Sequence, residues 1–246
     1  MIRLIIPAYD EAGPLQSLLS RLPSTLSGHD VVTLVVSDGS TDSTVQVARD
    51  AGIETMALSH NRGKGTAIRA AVTRLGSTEY DLAVLMDADG QHDPADLEAL
   101  VAPLIASDSD ISLGSRYLAS EGRGSTPMNR YMIRWLTVVV LERILGTRFT
   151  DPYCGFRAFT REAIEGIDLQ ANRYEAELEM LFEAFRGNLL MVEVPVEKVY
   201  GVGMSKMSEG GRLLGRMRVI RQYATTIVRK TRQLRAHKSK IGAAAN

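Results

Sequence analysis

A chain of 246 residues with 45% apolar content has room for one large α/β domain or two small ones, and its supply of core-forming side chains excludes disorder of the whole. The formal net charge is zero, yet every acidic residue lies at or before Glu209 and ten basic residues follow it, so a part carrying minus ten precedes a tail carrying plus ten. The single cysteine, Cys154, excludes an internal disulfide framework and fits a reducing compartment. Segregation of charge on this scale favours contact with an anionic surface. Arg3, Asp10 and Glu11 leave no room near Met1 for a secretory apolar segment, so a cytoplasmic location is expected.

Residues 2–6 are an apolar run ending at Pro7, and Leu15, Leu18, Leu19 and Leu22 recur at helical spacing before Pro23, which predicts a strand and then a helix. Residues 31–36 predict a second strand, closed by Ser37-Asp38-Gly39-Ser40, with a helix over 41–51; residues 53–58 and 63–75 repeat the pair. Residues 82–86 lead into a helix over 93–105, and 111–114 form one more short strand. The first 115 residues therefore predict a parallel sheet flanked by helices. After a polar linker at 122–127, residues 128–145 predict a strongly apolar helix. Arg134, Glu142 and Arg143 interrupt it, and its apolar run 135–141 falls far short of the roughly 20 residues that cross a bilayer. Alternation predicts strands over 153–159 and 189–199, separated by a helix over about 174–185, and Pro195 suits an edge or a bulge. In the tail, Leu213, Met217, Ile220, Ala224 and Ile227 keep the spacing of one helical face, widened by Leu214, Tyr223 and Val228, with basic residues opposite. Such a helix can cap the domain, join another subunit or lie on an anionic membrane.

Asp87-Ala88-Asp89 closes the run 82–86 and sets two carboxylates one strand-period apart at a strand's carboxyl end. Two anions this close resist full ionisation unless something positive lies between them, and a small dication is the natural occupant. Three other polar loops also follow apolar strands: Pro7-Ala8-Tyr9-Asp10-Glu11, Ser37-Asp38-Gly39-Ser40-Thr41-Asp42 and His60-Asn61-Arg62-Gly63-Lys64-Gly65. All four can meet at the carboxyl edge of one parallel sheet. No GxGxxG follows the first strand and no GxxxxGK[ST] occurs, which disfavours a dinucleotide oxidoreductase and a P-loop hydrolase. A nucleotide-sugar site fits better: acidic groups grip nucleoside hydroxyls and base, a dication holds a diphosphate, and Lys64 opposes further negative charge.

Each residue also has a plainer use. Asp38 and Asp42 suit Asx-turn and helix-cap hydrogen bonds, Lys64 suits a solvated surface, Arg116 and Arg157 suit structural pairing, and His92 suits a first helical turn. Cys154 has no catalytic partner legible in the sequence. No aromatic stacking array supports a nucleic-acid partner.

The order and wording of these motifs resemble inverting glycosyltransferases of the GT-A fold, family 2, and especially the dolichol-phosphate mannose synthases and related polyprenyl-phosphate glycosyltransferases, over about residues 2–200. The resemblance implies an α/β fold, a Rossmann-like nucleotide-binding sheet flanked by helices with a C-terminal amphipathic helix. It implies a transferase domain at 1–210, its nucleotide-sugar part at 1–115 and its acceptor part at 116–210, followed by a basic tail at 211–246. By the same resemblance Pro7, Ala8 and Glu11 line the nucleoside pocket, Asp38 contacts the base, and Arg62, Gly63 and Lys64 complete the donor-side loop. Asp87 and Asp89 match the donor-binding and metal-binding pair, with Gln91 as a further ligand, for Mg²⁺ or Mn²⁺. Gly114-Ser115-Arg116-Tyr117 resembles the phosphate-proximal segment and Asp151-Pro152-Tyr153-Cys154-Gly155-Phe156-Arg157 the acceptor-side segment, which makes Arg116 and Arg157 clamps for phosphate oxygens.

The implied reaction moves mannose or glucose from GDP-mannose or UDP-glucose to dolichyl or polyprenyl phosphate, peripherally on the cytoplasmic face of a membrane, with a homo-oligomer open. Two departures, Ser37 where a second aspartate is usual and Asp10 where asparagine is common, bear on nucleotide selectivity. Two other readings stay open at this point. One is a soluble GT-A enzyme acting on a hydroxyl acceptor, which needs a placed base; the other is a non-catalytic membrane-associated module.

Overall fold

A computed structural model describes residues 1–118, 128–197 and 213–244, with side chains placed for 1–118, 131–197 and 219–236. The polar linker 122–127, residues 198–199 of the last expected strand and residues 211–212 of the tail lie outside the described residues.

The strands are β1 (Ile2–Ala8), β2 (Thr25–Leu26), β3 (His29–Ser37), β4 (Glu54–Ala57), β5 (Leu82–Leu85), β6 (Ile111–Ser115), β7 (Arg157–Thr160) and β8 (Met191–Pro195). They join in the order β4-β3-β1-β5-β7-β6-β8, with β2 in an antiparallel pairing at the N-terminal end of β3. β4, β3, β1 and β5 are mutually parallel, as expected. β7 runs antiparallel between β5 and β6, so a strand from the second part of the chain is interleaved between two from the first. β8 closes the edge parallel to β6, and Pro195 ends it, where a missing N–H does no harm.

The helices are α1 (Ala12–Leu19), α2 (Thr44–Asp50), α3 (Lys64–Leu75), α4 (Leu97–Ile105, entered by a 3₁₀ turn at Pro94–Asp96), α5 (Met128–Leu145), α6 (Arg161–Gly166), α7 (Ala176–Arg186) and α8 (Leu213–Ala244). Every residue of β1 is buried because both faces of the sheet are covered, which is why its sequence reads as a continuous apolar run. Ile2, Leu4 and Ile6 pack with α1, α2 and α4 on one face. Ile5, Leu34 and Leu85 pack with α3, α6 and α7 on the other, where α5 and α8 add Leu141, Tyr223 and Leu234. Each fully buried Ile or Leu contributes about 1.5–3 kcal/mol through removal from water.

Three local expectations change. β5 ends at Leu85, so Asp87 and Asp89 stand in a turn rather than in strand alternation; Asp89 Oδ1 accepts the Gln91 N–H at 3.0 Å and Gly90 takes φ +72°, closing an Asx turn. β7 begins only at Arg157, because the carbonyls of Pro152 and Cys154 turn inward to that residue's guanidinium instead of joining a ladder. In the tail, the buried face of α8 carries Tyr223, Thr226, Lys230 and Leu234, while Ile220 and Val228 of the expected apolar face are exposed. The cause is α7: Lys230 Nζ lies 2.7 Å from Glu179 Oε1 and 2.7 Å from Glu183 Oε1, and Arg229 reaches Glu179 at 2.8 Å. A buried cation outranks the aliphatic stripe because two buried carboxylates require it. Over 219–236 the tail therefore packs on its own domain. No helix among the described residues is long and apolar enough to cross a membrane.

Candidate active site

Parallel strands deliver β1, β3, β4 and β5 to one carboxyl edge, and hydrogen bonds tie each following loop to the next. Asp10, in a left-handed conformation at φ +49°, accepts the Thr41 N–H at 2.7 Å and the Asp42 N–H at 3.3 Å, joining the loop after β1 to that after β3. Burial opposes ionisation of Asp10, but these two N–H donors outweigh it and hold its carboxyl below the usual range. Asp42 follows in turn, Oδ1 accepting the Thr44 N–H at 2.9 Å in an Asx turn and Oδ2 the Ala12 N–H at 3.2 Å, which is the Asx-turn role open to it from sequence. Asp38, 3% exposed, accepts from Arg62 N at 2.9 Å and Gly63 N at 2.6 Å. Both its oxygens thus fasten the loop after β4, a loop-fixing role alongside the base contact expected of Asp38. Gly39 is required where these loops touch: φ is +71° and a Cβ would fall 2.8 Å from His60 Cα.

Lys64 ties the third loop to the fourth. Its ammonium lies 2.5 Å from Asp87 Oδ1 and 2.6 Å from Glu177 Oε1 on α7. It is therefore not a solvated surface charge; burial would lower its pKa, but Asp87 and Glu177 outweigh that and raise it. Burial would likewise raise Asp87, yet the Lys64 ammonium, helped by His92, holds Asp87 far below the usual carboxylate range. His92, buried against the Phe156 ring at 5.0 Å, keeps Nε2 3.9 Å from Asp87 Oδ2. Asp89 is pushed the other way, first by burial and then by the Asp87 charge, with the Gln91 N–H opposing. The two carboxylates of one tripeptide thus differ in proton affinity because one has a lysine and the other faces the first.

The segment 151–157 lies against this pair from the antiparallel side. A Cβ on Gly155 would sit 2.7 Å from Asp87 Oδ2 and overlap Lys64 Nζ, so a larger residue here would displace the ends of those two side chains. The register Leu85↔Arg157↔Leu113 brings this segment and the end of β6 to the same sheet edge. There Arg116 Nε and Nη2 meet Asp151 Oδ2 and Oδ1 at 2.6 and 3.0 Å. Burial would lower the Arg116 pKa, and the Asp151 carboxylate raises it well above normal instead. Arg157, 1% exposed, donates to the carbonyls of Cys154 at 2.9 Å, Glu177 at 2.8 Å and Pro152 at 3.0 Å. In this structure the guanidinium holds the loop's backbone and α7, where the sequence suggested a phosphate clamp. Burial pushes the Cys154 thiol up to about 12, which agrees with the absence of a thiol nucleophile.

Pro7 and Ala8 are strand residues paired with Val36 and Ser37. Ala8 O accepts the Asp38 N–H, and the Glu11 backbone N–H donates to Thr44 Oγ1 at 2.8 Å, so this loop is placed by its main chain. Gln91 acts on Asp89 through its N–H. Among the described residues no three His, Cys, Asp or Glu side chains gather as a metal cage. Two neighbouring carboxylates, one of them with raised proton affinity, still fit Mg²⁺ or Mn²⁺, because such ions take one or two carboxylates and complete their shell with substrate phosphates and water. Sequence reasoning missed Glu177; the signal was three acids, Glu177, Glu179 and Glu183, set among the apolar residues of 176–184, all of which are buried.

The topology is that of GT-A glycosyltransferases: a structure of glucosyl-3-phosphoglycerate synthase from Mycobacterium tuberculosis with Mg²⁺ and uridine diphosphate superposes with a TM-score of 0.72 at 21% identity, covering 94% of this chain and 79% of that one. The model of glycosyl transferase family 2 matches residues 4–167, and the chain belongs to that family. It is 33% identical over 84% of its length to 87% of the undecaprenyl-phosphate mannosyltransferase of Micrococcus luteus, and 30% identical over 83% to 80% of the polyprenol monophosphomannose synthase of Mycolicibacterium smegmatis.

Proposed function

We propose that this glycosyltransferase moves a hexosyl group, with inversion, from a nucleotide diphosphate sugar to the phosphate of a polyprenol. The observation that carries the reading is the position of residues 151–157, with Gly155 against Asp87 and Asp151 holding Arg116, so that carboxylates suited to a cation and a guanidinium suited to phosphate flank one loop. The names of the Micrococcus and Mycolicibacterium relatives support the acceptor class and favour mannose. Neighbouring structures with Mn²⁺ and uridine-diphosphate-glucose support a divalent ion and a nucleotide sugar.

In this reading an acceptor phosphate oxygen forms the new bond to the anomeric carbon as the old carbon–oxygen bond breaks, and the bonding pair leaves on the nucleoside diphosphate. The acceptor is already an anion, so no side chain has to remove a proton. A divalent ion bound by Asp89 and Asp87 would neutralise the departing diphosphate. Lys64 keeps Asp87 ionised, the Gln91 N–H orients Asp89, and Asp151 aims Arg116 at the acceptor phosphate. Arg62, exposed at the end of the loop that Asp38 fixes, is assigned to the donor side. Membrane access falls to α5, which exposes Met132, Trp135 and Leu136 at i, i+3 and i+4. A screen of GDP-mannose, UDP-glucose and other nucleotide sugars with a short polyprenyl phosphate, with and without chelator, tests it: transfer from one donor that chelator stops is expected, and no transfer from any donor refutes the reading.

A further inference from the structure

Glu193 lies in edge strand β8 between Val192 and Val194, which pack in the core on the α4 face, so strand alternation turns its carboxylate to the opposite face. There its Oε1 and Oε2 each accept the Thr150 N–H at 2.8 Å, and Oε1 also accepts the Asp151 N–H at 3.1 Å. Thr150 is further held by Ser115 Oγ at 2.5 Å and by Arg134 Nη1, which donates to its carbonyl at 2.7 Å. Asp151, fixed at its backbone in this way and buried, then grips Arg116 along the Nε–Nη2 edge and also accepts the Arg116 N–H at 3.3 Å. A guanidinium bound along that edge has its Nη1 edge aimed in one direction.

We propose that Glu193 is a positioning residue for the acceptor phosphate: it sets the Thr150–Asp151 backbone, which sets the angle at which Arg116 meets phosphate oxygens. The inference rests on the assignment of Arg116 to the acceptor. Glu193 touches no reacting atom; its effect is exerted through two intervening hydrogen-bond steps, and misplacement of the guanidinium by a fraction of its bond length to a ligand weakens one ligand and spares the other. The donor carboxylates follow β5, one of them paired with Lys64 of α3, whereas Glu193 lies on β8 opposite Leu113 of β6.

The test is direct binding. Wild type, Glu193→Ala, Glu193→Gln and Arg116→Ala are each titrated with a short polyprenyl phosphate, and separately with GDP and UDP in the presence of Mg²⁺. Glu193→Ala should weaken prenyl phosphate binding roughly tenfold, the scale of loss that a small misplacement brings, and leave nucleotide affinity unchanged. Glu193→Gln, which keeps one acceptor oxygen, should lose less, and it carries the test if the alanine variant does not fold. Prenyl phosphate affinity unchanged in both Glu193 variants but reduced in Arg116→Ala overturns the proposal and leaves the Arg116 assignment standing. Affinity unchanged in all three variants overturns both. Equal losses for prenyl phosphate and nucleotide also overturn it, since they mark general loosening rather than positioning.

Discussion

Asp87 is ion-paired with Lys64, whereas Asp89, two residues on, faces the Asp87 charge and burial together, opposed by the Gln91 N–H. A folded-state pKa raised above the ordinary carboxylate value means that ionised Asp89 opposes folding once the pH exceeds the raised value, and does not do so below the ordinary one. Asp89→Asn should therefore raise the melting temperature of the metal-free protein at pH 7 and lose that advantage near pH 3, by calorimetry at the two values. The same variant should lose roughly 100-fold in kcat, the upper range for loss of a metal-site group. A variant that keeps wild-type kcat with no thermal gain at pH 7 would remove Asp89 from the metal site. The placement of Asp87, Asp89, Gln91 and Arg116 just beyond strand ends was legible in the sequence because they fall in short motifs after apolar runs. The hydrogen-bond partners of Asp38, Lys64 and Arg157 were not, because each is set by groups the sequence cannot pair with it: the Arg62 and Gly63 amides, Glu177, and the carbonyls of residues 152, 154 and 177.

α7 and α8 join through Lys230, between Glu179 and Glu183, and that contact connects the tail to the site, because Glu179 also accepts the N–H groups of Gln170 and Ala171. The backbone of residues 171–172 in turn packs so closely on Gly63 and Gly65 that neither can carry a Cβ. Near its other end the Tyr223 ring lies 4.8 Å from that of Tyr153 in the acceptor-side loop. Lys230→Met should destabilise by about 3 kcal/mol, the low end for a broken buried pair, since Arg229 and Arg186 remain on the two glutamates. That loss lowers the melting temperature by roughly 6–12 °C for a chain of this size; an unchanged melting temperature would show that α8 is dispensable to the fold. The helical period of α8 was legible, but its buried face was not: Lys230 reads as a solvated charge until α7 supplies two acids. β7 was similarly opaque in direction, since nothing in the sequence 157–160 says that it inserts antiparallel between β5 and β6.

For the molecule as a whole, the charge asymmetry of the sequence is partly internal, with Arg229 and Lys230 neutralised on α7, so fewer tail charges face outward than the count suggests. On α5, Met132, Trp135 and Leu136 form an exposed apolar ridge, and Trp135 is the only tryptophan in the sequence. Anionic vesicles should shift its fluorescence to shorter wavelength as the half-exposed ring leaves water, and the shift should weaken with salt. No shift at vesicle concentrations that sediment the protein would move the membrane contact elsewhere. The claim on which the account turns is that the acceptor's phosphate is the nucleophile. Product analysis by NMR, with a short polyprenyl phosphate and the matching neutral prenol offered in parallel, tests it most directly. Transfer to the phosphate alone, with inverted anomeric configuration, is the predicted result; efficient transfer to the neutral prenol, or retained configuration, would contradict it.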